Sequence, residues 1–128
     1  MPNLKLKKAF FIGALLAYLS VLGYGALSTK VGQLIPLGTD KLLHFAQFAV
    51  LAFLLFFTLA SFGLKKPLVF GLVVLISAVF GVLSELAQKF LTTTRSASGL
   101  DFLADMLGVV LALLVMGVFE WISSRQSS

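Results

Sequence analysis

Apolar residues fall into four long runs along this chain: Ala9 to about Leu27, about Leu42 to Gly63, about Pro67 to Ala87, and about Phe102 to Ile122. Each is close to the roughly 20 residues that a helix needs to cross about 30 Å of hydrocarbon. The alternation of period two that a membrane barrel requires is absent. Lipid offers the backbone no hydrogen-bond partners, so helices, which satisfy their own N–H and C=O groups, are the expected spans. The pattern predicts an all-α fold, a four-helix transmembrane bundle with helices over about 9–27, 41–63, 67–88 and 101–122, in a single membrane domain over residues 1–128. The first run follows Lys5, Lys7 and Lys8 and ends near Ala26-Leu27-Ser28, which gives it some likeness to a secretory signal. Its apolar stretch is longer than the roughly 7–15 residues of such a signal, so a retained helix is expected.

Composition agrees with this reading. Of the 128 residues, 59% are hydrophobic and only 12% charged, more apolar side chain than a soluble domain of this size can hide from water. The absence of cysteine excludes disulfides and thiolate chemistry. The net charge of +5 comes from basic residues near the ends of the apolar runs, where they meet lipid headgroups. Membrane lipids are therefore expected partners and nucleic acid is not. Lys5, Lys7, Lys8, Lys65, Lys66 and Arg125 would share one side of the bilayer, and Lys30, Lys41, Lys89 and Arg95 the other. The larger set belongs in the cytoplasm, so both termini should be cytoplasmic and the segments 28–40 and 88–100 outside. Lys65-Lys66-Pro67 reads as a sharp hairpin, with Pro67 suited to the first turn of a helix.

Apart from Glu120 near the chain end, the acidic residues and His44 gather at the predicted outer ends. Asp40 and His44 are four residues apart, with Gln47 continuing the face; Glu85 and Gln88 are three apart, above Gly81 and Ser77; Asp101 and Asp105 are four apart, above Gly108 and Ala112. These are helical spacings, and the small residues on two of the stripes permit close helix approach. Up-down topology would bring all three polar stripes to one side, so convergence is expected.

Ordinary structural roles exist for several of these residues. Thr39 or Asp40 suits the N-cap of the second helix and Asp101 that of the fourth. Lys41 and Lys89 suit snorkelling to headgroups. Glu85 and Asp105 are harder to explain away, because each stands in an apolar stretch where a lone carboxylate is expensive. Arg95, with its planar fork, is a natural partner for either. Chemically, His44 beside Glu85, Asp101 and Asp105 suits general acid–base work, and these four are the catalytic candidates. Arg95, Lys41 and Lys89, with two helix N-termini, suit an anionic group. One histidine with three carboxylates could also hold a divalent cation, but no short ligand motif is present, so neither a metal nor a cofactor is expected. A transporter would carry charge near the middle of the bilayer, and the middles of these runs are apolar.

Taken in order, Asp40-Lys41-Leu42-Leu43-His44-Phe45, Glu85-Leu86-Ala87-Gln88-Lys89-Phe90, Arg95-Ser96-Ala97-Ser98 leading to Asp101, and Asp105-Met106-Leu107-Gly108 resemble the motifs of the VanZ-like family of small bacterial membrane proteins. The chain differs from that pattern in carrying Asp105 where asparagine is more usual and in lacking a Pro-Gly turn between Gln88 and Arg95. The family is named for a protein associated with resistance to the glycopeptide teicoplanin. The resemblance implies a multi-pass protein of the bacterial cytoplasmic membrane and a family site at Asp40, Lys41, His44, Glu85, Gln88, Arg95, Asp101 and Asp105. Its ligand would be a lipid-linked cell-wall precursor, another envelope component or a glycopeptide. An acid–base enzyme acting on a headgroup, and a small transporter or structural partner, stay open as alternatives.

Overall fold

A computed structural model describes residues 3–28, 34, 39–91 and 99–126. Within them run four helices: α1 (Leu4–Leu27), α2 (Asp40–Ala60), α3 (Lys66–Leu91) and α4 (Gly99–Gln126). All four are long and apolar enough to cross a membrane, as the four apolar runs predict.

The helices extend past the apolar runs at several ends. α1 begins five residues before Ala9, because Asn3 caps it: its Oδ1 accepts a hydrogen bond from the Lys5 amide at 3.0 Å, satisfying one of the amides that a helix start leaves without an intrahelical partner. α4 continues past Ile122 to Gln126, with the Arg125 guanidinium 4.5 Å from the centre of the Trp121 ring. The reversal between α2 and α3 lies earlier than the Lys65-Lys66-Pro67 hairpin suggests. Ser61, Phe62 and Gly63 form the turn, and the Gly63 amide donates to the Ala60 carbonyl at 3.0 Å. Gly63 has φ +77°, a left-handed conformation that favours glycine. Lys66 and Pro67 already belong to the first turn of α3.

Neighbouring helices alternate in direction. Thr58 and Phe11 meet near one end of the α1–α2 pair, and Tyr18 meets Gln47 further along, so these two run antiparallel. Phe56 packs on Phe70 and Phe48 on Phe80, so α2 and α3 do likewise. His44 meets Asp105 and Phe45 faces Gly108, which makes α2 and α4 parallel. The starts of α2 and α4 and the ends of α1 and α3 therefore share one end of the bundle.

The core is built on α2. Phe48, Leu51, Ala52, Leu55 and Phe56 pack against Val69 and Val73 of α3 and Val109, Ala112 and Met116 of α4. Lipid tails are as apolar as these side chains, so association in a bilayer depends on close packing and interhelical hydrogen bonds more than on expulsion of water. Gly108 supplies the closest approach. A Cβ placed there would collide with the Phe45 carbonyl oxygen and lie 3.1 Å from the Ala49 nitrogen. α1 is peripheral, with Leu22 its one buried residue. It is tied on by polar contacts: the Tyr18 hydroxyl donates to the Gln47 carbonyl at 2.6 Å, and Gln88 Nε2 donates to the Ala26 carbonyl at 3.1 Å.

Candidate functional site

The shared end of the bundle assembles polar residues from three helices. His44 lies four residues into α2, Asp105 six into α4, and Glu85 six before the end of α3. At about 1.5 Å per residue, they sit about 6–9 Å below the helix ends. They can converge there because the backbones are close. Gly108 brings α4 onto α2 one turn below Asp105, and Gly81 faces α4 one turn below Glu85.

His44 stands between two aspartates of α4. Its Nδ1 lies 2.8 Å from Asp105 Oδ1, and its Nε2 lies 3.8 Å from Asp101 Oδ2. An ionised carboxylate only accepts hydrogen bonds, so with Asp105 ionised His44 Nδ1 carries a proton and donates it to Oδ1, and Nε2 faces Asp101. The second distance is too long for a hydrogen bond. Asp101 Oδ1 is 3.5 Å from Lys41 Nζ. The four residues thus form a chain from an exposed ammonium to a fully buried carboxylate: the Lys41 side chain is 56% exposed, Asp101 10%, His44 15% and Asp105 1%.

Asp105 is the innermost member. Its Oδ1 is taken by His44, whereas its Oδ2 is buried without a hydrogen-bond partner among the described residues. Facing that oxygen is Gly81 of α3, where a Cβ would stand 3.6 Å from Oδ2 and 3.1 Å from the Phe102 ring. Glu85, half-buried one turn above Gly81, brings a carboxylate oxygen to within 4.8 Å of both the His44 and Asp105 ligand atoms.

The arrangement refines the expected residue set. Lys41, His44, Glu85, Asp101 and Asp105 come together. Asp101 is the third residue of α4, which starts at Gly99. Its carboxylate faces Lys41 and His44, so the N-cap role is corrected: the helix begins two residues earlier, and the side chain is spent on a neighbouring helix. Thr39 occupies the N-cap of α2, with Asp40 exposed in its first turn. Gln88 is buried, and its amide nitrogen is committed to α1 through Ala26. Lys89 is exposed, 5.6 Å from the centre of the Phe90 ring. Arg95 lies outside the described residues, and with it the expected pairing to Glu85 or Asp105. Tyr18 had no sequence signal beyond being a tyrosine in an apolar run, and only the fold gives its hydroxyl a partner.

No known family model, curated protein or solved structure matches this chain. What the site can do has to be read from its own geometry.

Proposed function

We propose that this chain is a multi-pass protein of the bacterial cytoplasmic membrane, similar in kind to VanZ-like proteins. Its polar end faces outward and binds a lipid-linked cell-wall precursor or another envelope ligand, glycopeptides included. The observation that carries this reading is the depth and exposure of the Lys41–Asp101–His44–Asp105 chain. It begins at an exposed ammonium and reaches a buried carboxylate about two turns below the helix ends. A headgroup lying at the membrane surface can reach such a site without crossing the apolar core. The basic opposite end, with Lys5, Lys7, Lys8, Lys65 and Lys66, favours a cytoplasmic placement of both termini.

A second reading, an intramembrane acid–base enzyme, draws on one specific feature. A carboxylate that fixes one imidazole nitrogen leaves the other as a base of defined direction. In this chain Asp105 would orient His44, and Nε2 would take the substrate proton.

Complementation of a deletion strain under envelope stress, teicoplanin included, tests the proposal, with membrane abundance measured alongside. Loss of the phenotype for His44→Ala and Asp105→Asn at unchanged abundance is the expected result. A phenotype that falls only in step with abundance would reduce the cluster to structural glue. A pH–activity profile that His44→Ala abolishes would favour the enzyme reading. Reporter fusions after Ser28 and after Arg125 check orientation: activity of a periplasmic reporter at the second position would reverse the proposed topology.

A further inference from the structure

Three metal-ligating side chains from three different helices meet at the polar end. One ring nitrogen of His44, one carboxylate oxygen of Glu85 and one of Asp105 all lie within 4.8 Å of one another. A further observation, at Asp105, turns this proximity into a site. Asp105 is completely buried, and its Oδ2 has no hydrogen-bond partner among the described residues. A buried polar oxygen left bare is costly, and more so on a charged carboxylate. The wall opposite that oxygen is Gly81, where a Cβ would stand 3.6 Å from Oδ2 and 3.1 Å from the Phe102 ring, so a side chain there would crowd the oxygen.

We infer that His44, Glu85 and Asp105 form a binding site for a divalent first-row metal ion. The donor set selects the class. Imidazole suits zinc or iron, carboxylates admit manganese, and the absence of thiolates removes the soft-metal alternatives. An ion with bonds of about 2.0–2.2 Å holds its ligand atoms about 3.0–3.5 Å apart. The widest spacing must therefore contract by a little over about 1 Å, within reach of a torsional adjustment of the Glu85 side chain. Coordination needs a ring lone pair, so binding through Nδ1 would release its proton and exchange the hydrogen bond to Asp105 for the ion. Three protein ligands leave coordination positions open.

The ion would also give the carboxylate-rich cluster a means of holding an anion, and this step rests on the reading of the cluster as a site for an envelope ligand. Among the described residues, the cluster holds three carboxylates, Glu85, Asp101 and Asp105, beside Lys41 and His44. A dication is often the largest local charge in the site it occupies and attracts anionic groups there. Its open positions would take the anionic oxygens, as divalent ions held by carboxylates do with phosphates.

The test uses the full chain, purified in detergent and stripped with chelator. Mn2+ is titrated and followed by loss of the free-ion EPR signal, and Zn2+ is counted by elemental analysis after desalting. The expected result is one ion per chain, with affinity lowered at least about tenfold in Glu85→Gln and in Asp105→Asn and unchanged in Glu120→Gln. Absence of stoichiometric Mn2+ and Zn2+ from the wild-type chain overturns the inference. So does binding that survives both Glu85→Gln and Asp105→Asn. If Asp105→Asn fails to fold, Glu85→Gln and the wild-type stoichiometry decide the matter. Stoichiometric binding together with full complementation by the His44 and Asp105 variants would sink the proposed function and leave the metal site standing. Complementation that depends on those residues without any bound ion would do the reverse.

Discussion

The two ends of the bundle handle charge in opposite ways. At the end where α1 starts, the described residues carry Lys5, Lys7, Lys8, Lys65, Lys66 and Arg125 against a single acid, Glu120. These charges stay on the surface. Lys66 reaches Glu120 at 3.2 Å across an exposed pair. Lys8 lies 5.0 Å from the centre of the Phe62 ring, and Arg125 lies on Trp121. At the other end, the described residues carry Asp40, Glu85, Asp101 and Asp105 against Lys41 and Lys89, and here acids are drawn between the helices. Asp101 is 7% exposed and Asp105 not at all. Surface cations on aromatic rings need only an interface to sit in. Buried carboxylates need partners, and holding partners at fixed distances is what a site does. The same four helices thus leave charge on the surface at one end and bury it between helices at the other.

The largest effect that would break this contrast comes from the backbone. Gly108→Val places a side chain on the Phe45 carbonyl, next in sequence to His44, and backbone cannot rotate away. We expect a loss of about 3 kcal/mol or more, read as a collapse of membrane abundance and of the thermal midpoint in detergent. Gly117→Val, further along α4 where a Cβ meets nothing within 4 Å, should change neither.

Next come the charges themselves. Asp105→Asn should abolish complementation while the chain remains in the membrane. Glu120→Gln, which removes an exposed ion pair of a kind worth about 0–1 kcal/mol, should leave both phenotype and melting intact. Equal losses from the two variants would erase the distinction between the two ends.

Gly81→Ala is a finer probe. Its Cβ would press on the Phe102 ring at 3.1 Å and narrow the space beside Asp105 Oδ2 at 3.6 Å. Mn2+ affinity should fall severalfold with little change in stability; unchanged affinity would show that the space is not used. The smallest expected effect is at Gln88. Gln88→Leu removes, among its contacts, the hydrogen bond from Nε2 to the Ala26 carbonyl, of an interhelical type worth about 0.6 kcal/mol on average in membranes. The melting midpoint should drop slightly and complementation should persist. Loss of complementation at normal abundance would instead move Gln88 into the site.

Whatever follows from local pattern can be read along the chain. Four apolar runs of spanning length dictate four helices, since lipid leaves the backbone no other way to satisfy itself. Spacings of three and four place Asp101, Asp105, Gly108 and Ala112 on one stripe, and that stripe is buried in the bundle. Even the gathering of His44, Glu85 and Asp105 at one end was legible, because alternating direction is the natural outcome of short connections. Which residue meets which depends on how the helices pack. Nothing in local spacing distinguishes an N-cap at Asp101 from a carboxylate turned to Lys41 and His44, or a headgroup ligand at Gln88 from an amide spent on α1. Nor does it place the Asp105 oxygen against the bare face of Gly81. Those outcomes depend on the rotation of each helix about its axis and on sub-ångström approach between backbones. Packing of glycine against carbonyl sets both, and a linear pattern of apolar and polar residues does not contain them.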